Sequence, residues 1–301
     1  MDRLTGMQVF AKVAVLGSLS AAARVLGMSQ TMATKHVAAI EDRLGARLLH
    51  RSTRRLSLTD AGRRYLEAVE RILDEIEDAE ATASLQARQI GGTLRLNAPV
   101  SFGQRRIAGI LPELARRHPG LRIDLGLNDR HVDLVEEGWD LAIRVGTLQS
   151  PALIARRLAS CPMEVVAAPS YLAQHGTPAT VDDLRQHNCL GYTLSQQAGA
   201  GRWAFGADGK ISVPVSGSLQ ANNGDVLVAA AVAGLGIVYQ PDFMVDREIR
   251  EGLLVPLNFD HELIMLGGIY AIYAAGRPPS ARVRAAIDFF VEALAVDKLR
   301  R

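Results

Sequence analysis

The sequence lacks several features that mark specialised classes of protein. Its 301 residues include only two cysteines, Cys161 and Cys189, which are too few for a disulfide framework. No apolar run approaches the roughly 20 residues that a membrane span needs. The first ten residues carry Asp2 and Arg3 and have no apolar core of the signal-peptide kind. We therefore expect a cytoplasmic protein without a membrane partner.

The common motifs of enzymes are also missing. The sequence contains no Walker loop, no GxSxG and no HExxH. His187, Cys189 and Ser195 lie near one another in the chain. A nucleophile needs a base and an orienting group in space, and proximity in sequence does not establish that arrangement. We predict no enzymatic activity, no catalytic residue, no metal site and no cofactor.

Charge is distributed unevenly along the chain, although the net charge is only +2. Residues 1–65 hold 11 Lys and Arg against 4 Asp and Glu, a net charge of +7. Residues 66–90 hold 2 against 7, a net charge of −5, and residues 91–301 hold 21 of each sign. This pattern indicates three parts, a basic domain at 1–59, a linking helix at 60–90 and a neutral body at 91–301. The basic domain is where a polyanionic partner is expected.

Apolar spacing predicts three helices in the basic domain, at about 4–16, 21–26 and 30–44. Ser18 or Ser20, and then Ser29, are suited to cap the second and third helices. Glycines that tolerate positive φ follow the three helices, at Gly17, Gly27 and Gly45. The third helix is expected to turn Met32, Val37, Ile40 and Leu44 towards the core.

Two short helices joined by a tight turn with glycine form a helix-turn-helix, whose second helix lies in the DNA major groove. Residues 48–59 are predicted to form a two-stranded wing, whose arginines could hold phosphates or enter the minor groove. The candidate DNA-binding residues are Ser29, Gln30, Thr31, Thr34, Lys35, His36, Arg51, Arg54 and Arg55. The alternative is a solvated three-helix cap with incidental basic residues.

The run SLSAAARVLGMSQTMATKHVAAIEDRLGARLLHRSTRRLSLTDAG, residues 18–62, resembles the N-terminal signature of LysR-type transcriptional regulators. The resemblance is specific over residues 1–90 and looser from there to the C-terminus. Where the family often has Pro, Ser and Arg, this chain has Thr31, Thr34 and Lys35. These differences keep the polar character and leave the preferred operator bases open. The resemblance implies a sequence-specific DNA-binding regulator.

An acidic helix is predicted from about 61 to 89, with Asp60 as its N-cap. Its apolar residues are spaced 4, 3, 4, 3 and 4 apart, which is typical of a coiled-coil seam. The seam consists of Tyr65, Val69, Ile72, Ile76, Ala79 and Ala83. Pairing of two such helices predicts a homodimer on a dyad-symmetric operator in double-stranded DNA. The alternative is that the seam packs on the chain's own body. The resemblance further implies a homotetramer that bends DNA, and we expect RNA polymerase as a partner.

The body alternates strands and helices after a joint at Gly91 and Gly92, which predicts α/β architecture around a largely parallel sheet. The resemblance implies a two-lobed domain like a periplasmic binding protein. The first lobe is expected at about 91–161 and 267–301, and the second at about 162–266. The predicted fold class is therefore α+β multidomain, with a winged helix-turn-helix, a dimerisation helix and a two-lobed effector domain.

The cleft of such a domain is expected to bind a small-molecule effector at helix N-termini and strand ends, where an anion is favoured. The candidate effector-binding residues are Ser101, Phe102, Asn128, Gly146, Thr147, Trp203, Asn222 and Asn223. Ser101 and Asn222 could instead be only helix caps, and Trp203 could be a core residue. Two other functions remain open, an enzyme or solute binder with an unrelated helical head, and an architectural DNA-binding protein without an effector.

Overall fold

The structure is a computed structural model that describes residues 2–51, 56–83, 90–130, 132–147, 153–195, 197–275 and 278–297. The chain divides into two compact units, Met1–Gly92 and Thr93–Arg301, which are described separately below. Among the described helices, none combines the length and apolar character needed to cross a membrane.

The first unit, called the head, consists of helices and a small antiparallel sheet. Its elements are α1 Arg3–Leu16, α2 Leu19–Val25, α3 Gln30–Leu44, β1 Leu49–Arg51, β2 Leu56–Leu58 and α4 Asp60–Ala83. The hydroxyls of Ser18 and Ser29 accept backbone N–H groups and cap α2 and α3. Gly17 and Gly45 end α1 and α3 in the left-handed region, both at φ 61°.

The core of the head is built from small, branched and aromatic apolar side chains, all at most 3% exposed. They are Val9, Phe10, Val13, Ala22, Ala23, Ala33, Val37, Ile40, Leu48 and Leu49. The prediction that Met32 and Leu44 face this core is wrong, since their exposed fractions are 45% and 44%. Met32 lies about 100° around the helix from Ala33, and Leu44 is the last residue of α3.

A buried carboxylate joins α3 to the wing formed by β1 and β2. Glu41 is 3% exposed, and its oxygens accept N–H groups from Leu48 at 2.9 Å and Leu49 at 3.2 Å. The guanidinium of Arg47 completes the site at 2.9 Å. The predicted cap at Asp60 is wrong, because the hydroxyl of Thr59 accepts the N–H that begins α4. The same hydroxyl donates to the Arg47 carbonyl at 2.7 Å and so fixes the base of the wing.

The second unit contains a mixed sheet with helices packed on it. Its first part comprises β3 Gly91–Ala98, α5 Val100–Phe102, a π-helical turn Gly103–Ile107, α6 Ala108–Arg117, β4 Gly120–Leu127 and β5 Leu141–Gly146. The middle comprises β6 Leu153–Ala167, α7 Pro169–His175, a 3-10 helix Val181–Gln186, β7 Cys189–Tyr192, β8 Arg202–Phe205, β9 Ile211–Pro214 and β10 Gln220–Ala221. The last part comprises α8 Gly224–Val232, β11 Ile237–Pro241, α9 Asp242–Arg250, β12 Val255–Pro256, β13 Met265–Ala274 and α10 Ala281–Asp297.

One long strand connects the two lobes. Within the described residues the sheet order is β10-β7-β11-β6-β13-β5-β3-β4, and β12 also pairs with β6. Positions 153–162 of β6 pair with β13, and positions 163–167 pair with β11. We call the part around β3, β4, β5 and β13 the first lobe and the part around β7, β10 and β11 the second lobe. The strand thus changes lobe between Pro162 and Met163.

The expectation of a largely parallel sheet is wrong at its centre. The pairs β5–β13, β13–β6 and β6–β11 are antiparallel, whereas β3–β5, β7–β11 and β7–β10 are parallel. The antiparallel pairs arise because β6 runs directly from the first lobe into the second and β13 runs back alongside it. Gly91 and Gly92 were predicted to be a flexible joint, but they form the start of β3.

Replacement of Glu41 by alanine is expected to destabilise the head. It leaves two buried N–H groups without acceptors, each of which costs about 1–3 kcal/mol. The change Asp42→Ala, at the exposed neighbouring position, is the matched control and is expected to have little effect. Denaturant unfolding followed by circular dichroism measures both. Equal stability of the two variants would contradict the anchoring role of Glu41.

Candidate functional site

The exposed face of α3 carries most of the polar side chains that are expected to contact DNA. Gln30, Thr31 and Lys35 are exposed, and Thr34 is half-buried, with its hydroxyl donating to the Gln30 carbonyl at 2.9 Å. The first turn of α3 contains no acidic residue. An anionic partner therefore meets the positive end of the helix dipole without a competing carboxylate.

Two of the predicted DNA-binding side chains have local structural roles. The hydroxyl of Ser29 accepts the N–H of Met32 at 3.2 Å, as an N-cap does. The prediction that His36 projects outward is wrong, because its exposed fraction is 6%. His36 follows Ala33 by three residues and precedes Ile40 by four, which places it on the core side of α3. The side chain of Arg51 and all of Arg54 and Arg55 lie outside the described residues.

The apolar seam of α4 is shared between the head core and solvent. Tyr65 packs on Phe10 with ring centroids 5.3 Å apart, and Val69 is fully buried. This part of the seam packs on the head of the same chain, which neither helix pairing nor packing on the body predicts. Ile72 is 40% exposed and Ile76 is half-buried, so an apolar strip continues along α4 beyond the core of the head. The side chains of Ala79 and Ala83 lie outside the described residues.

A cavity of about 860 Å³ lies in the second unit and has walls from both lobes. Volumes of this size hold small organic ligands. Five of the predicted effector-binding residues line it, namely Ser101, Phe102, Asn128, Gly146 and Thr147. Further apolar surface comes from Met163, Phe243, Met244, Leu266 and Ile272. The arrangement suits a ligand with an apolar body and a few polar groups.

The cavity wall includes an arginine whose charge is not neutralised by an ion pair. Arg144 on β5 donates to Asn97 Oδ1 at 3.0 Å and to its neighbour's carbonyl, and no carboxylate of the described residues pairs with it. Its Nη2 atom is buried without a hydrogen-bond partner in the described structure. Burial lowers the pKa of Arg144, because desolvation disfavours the charged form. An anion in the cavity would offset this cost.

Two neutral side chains of the cavity wall also have unsatisfied polar atoms. Asn128 Oδ1 and Gln240 Nε2 are buried and lack partners among the described residues. Gln240 is 1% exposed and comes from β11 of the second lobe, whereas Asn128 follows β4 of the first lobe. Buried polar groups are normally hydrogen-bonded. These atoms therefore indicate a cavity in which a polar ligand or ordered water would form the missing hydrogen bonds.

Ion pairs beside the cavity fasten the two lobes together. Ser101 Oγ donates to Asp225 Oδ2 at 2.5 Å, and Arg105 Nε lies 2.6 Å from the other oxygen of that carboxylate. Arg105 also reaches Glu248 at 3.1 Å on α9. A second pair joins Arg106 to Asp246 at 2.6 Å. The contacts run from the turn after β3 in the first lobe to α8 and α9 in the second, so Ser101 touches both the cavity and this interlobe network.

Three predicted effector-binding residues lie elsewhere. Trp203 is fully buried on β8, donates to the Gly199 carbonyl at 3.1 Å and packs on Tyr239, so it is a core residue. Asn223 caps α8 by accepting the N–H groups of Asp225 and Val226. Asn222 is exposed and does not contribute to the described cavity wall. Local sequence identified the cap region, but Gly224 is the residue of this turn that lines the cavity.

Comparison with protein families decides the identity of the two units. Residues 4–63 match the model described as "Bacterial regulatory helix-turn-helix protein, lysR family", and residues 87–295 match the "LysR substrate binding domain". The chain belongs to the LysR family of transcriptional regulators. This LysR-type regulator therefore combines a DNA-binding head with a domain that binds a small-molecule effector.

Named relatives and a solved structure are similar to this regulator over nearly the whole chain. The transcriptional regulator CrgA of Neisseria meningitidis is 34% identical over 290 residues, covering 96% of each chain. The transcriptional activator AaeR of Escherichia coli is 36% identical over 298 residues, covering 97% of this chain and 95% of its own. The solved structure of CrgA superposes with a TM-score of 0.62 at 33% identity, covering 96% of this regulator and 98% of that chain.

Several polar residues that line the regulator's cavity were not predicted from the sequence. Arg144 interrupts the apolar strand LAIRVG, and Gln240 interrupts the apolar strand IVYQP. A charged or amide side chain inside an otherwise apolar strand is a signal that could have identified them. Tyr192 also lines the cavity, where burial raises its pKa to about 12. The interlobe partners of Arg105 lie 120 and 143 residues away, so no local pattern reveals them.

Both cysteines of the regulator are expected to resist alkylation in the native state. Cys161 and Cys189 are fully buried, and burial raises the pKa of Cys189 to about 12. The reactive thiolate of Cys189 is therefore scarce at pH 8, and full burial keeps the reagent away from both sulfur atoms. Mass spectrometry after iodoacetamide treatment at pH 8 should show no added label on the folded protein and two labels after unfolding in guanidinium. Rapid native labelling would contradict this prediction.

Proposed function

We propose that the cavity binds a small anionic effector and that Arg144 supplies the opposing charge. The observation that carries this proposal is that the guanidinium of Arg144 forms no ion pair with a carboxylate of the described residues. The same wall holds Asn128 Oδ1 and Gln240 Nε2, which lack hydrogen-bond partners within that part of the chain. A carboxylate accepts hydrogen bonds from a guanidinium in a favourable planar geometry, and it also accepts from the Gln240 amide. The apolar surface around Phe102 and Phe243 would hold the rest of the ligand.

Effector binding acts by selecting one arrangement of the lobes. A ligand can shift a conformational equilibrium only as far as it binds one state better than the other. Asn128 and Gln240 belong to different lobes, so a ligand that contacts both favours their present separation. Ser101 lines the cavity and contacts Asp225 in the interlobe network, which gives the ligand a direct route to these ion pairs.

The change in lobe arrangement that the effector selects acts on DNA that is bound by the heads of two or more copies of the chain. The apolar strip that includes Ile72 and Ile76 supports pairing of α4 with a second copy, and two heads would bind a dyad-symmetric operator. A homotetramer would contact two sites and bend the DNA between them. We expect the protein to work in the cytoplasm with RNA polymerase as a partner, by binding rather than by catalysis, as its relatives are named regulators.

The anionic class of effector can be tested with pairs of acids and their amides. Benzoate and benzamide, hexanoate and hexanamide, and succinate and succinamide have similar shapes but differ in charge. We expect a carboxylate that fits to raise the melting temperature of the full-length protein, while its amide does not, because only ligands of the native state stabilise it. Differential scanning calorimetry measures the shift, and Arg144→Gln is expected to abolish it.

The matched control for this experiment is Arg130→Gln. Arg130 also lines the cavity, but both of its terminal nitrogens pair with Glu137, at 2.8 and 2.6 Å. Its charge is thus already neutralised, and the variant should keep the carboxylate response. Equal stabilisation by acids and amides, or an undiminished acid response in Arg144→Gln, would contradict the proposed role of Arg144.

The proposed placement of α3 in the major groove predicts that Lys35→Ala weakens specific binding. The expected loss of affinity is about tenfold, which corresponds to a free energy within the roughly 1–3 kcal/mol of a good base contact. The control Arg43→Ala removes one positive charge from the exposed last turn of the same helix. Fluorescence anisotropy with a duplex selected from random fragments by the full-length protein measures both. If Arg43→Ala lost more affinity for the duplex than Lys35→Ala, another part of the head would enter the groove.

A further inference from the structure

Met32 is an exposed apolar side chain at the beginning of the DNA-reading helix. It is the third residue of α3, and its exposed fraction is 45%. Its backbone N–H is already satisfied by Ser29, and the core is filled from the other side of the helix by Ala33, Val37 and Ile40. The side chain therefore adds nothing to the core of the head, and its exposure costs the free energy that burial of a methionine would provide.

The neighbours of Met32 on the helix surface are residues expected to meet DNA. Met32 follows Thr31 directly, and residues three apart in a helix are surface neighbours, which brings it beside Lys35. Both neighbours are exposed. The first eleven residues of α3 contain no Asp or Glu, so this part of the helix carries no carboxylate that would repel a phosphate. An apolar side chain in this position faces the same partner as Thr31 and Lys35.

The major groove offers one apolar group to such a side chain, the C5-methyl group of thymine. Methionine is unbranched and flexible, and it can adapt its shape to a methyl group without a fixed hydrogen-bond geometry. We propose that Met32 contacts the C5-methyl of one thymine in each half-site and so selects thymine at that position. This inference rests on the proposed placement of α3 in the major groove.

Replacement of thymine by deoxyuridine removes only the methyl group and keeps the base pair. The experiment uses the full-length protein and a duplex that it has selected from random fragments, with each thymine of one half-site replaced in turn by deoxyuridine. We expect one such replacement to weaken binding by about fourfold, the effect of one buried methyl group. Met32→Ala should bind the thymine and deoxyuridine duplexes equally, and Met32→Leu should keep most of the preference.

Leu44→Ala is the matched control, because Leu44 has an exposed fraction of 44% in the same helix. It lies twelve residues further on, about 18 Å along the axis. This variant should keep the fourfold preference. The inference is overturned if no thymine shows a methyl effect, or if Met32→Ala keeps that effect in full. A result in which Lys35→Ala binds normally would instead overturn the placement of α3 itself.

Discussion

The second unit depends on a single strand that hydrogen-bonds into both lobes. Because β6 pairs with β13 through Pro162 and with β11 from Met163 onwards, the sheets of the lobes meet without a loop between them. The cavity lies where the chain changes from one sheet to the other, and its polar groups come from both sides. The interlobe ion pairs of Arg105 and Arg106 lie next to the same cavity. Any relative movement of the lobes must therefore twist β6 and rearrange these pairs.

Features set by neighbouring residues could be predicted from the sequence. The bounds of α3, the cap at Ser29 and the end at Gly45 follow from side chains within a few positions, and the structure has them as expected. Errors began where a side chain's surroundings depend on distant parts of the chain. Met32 and His36 have opposite exposures from those expected, because the position of the core is set by contacts with α1, α2 and the wing.

The cavity shows the same division between local and long-range information. Five of the eight predicted effector-binding residues line it, since strand ends and helix beginnings are visible in a single stretch of sequence. Trp203 could not be assigned, because its burial depends on packing against Tyr239 from a different strand. Arg144 and Gln240 were missed for a related reason. Arg144 lies on β5, which pairs with β13, and Gln240 lies on β11, which pairs with β6. Both strand pairs join residues at least 70 positions apart.

The Glu41 carboxylate separates the residues that hold the wing in place from those that are proposed to contact DNA bases. It binds the first residues of the wing to the far half of α3, so the helix and the base of the wing form one rigid frame. The exposed residues Thr31, Met32 and Lys35 take no part in that frame. Under the proposed placement of α3, substitutions at these positions would change the preferred bases without moving the wing relative to the helix. The proposed base-contacting residues and the residues that hold the wing on α3 are thus different sets, so the first set can vary while the fold of the head is kept.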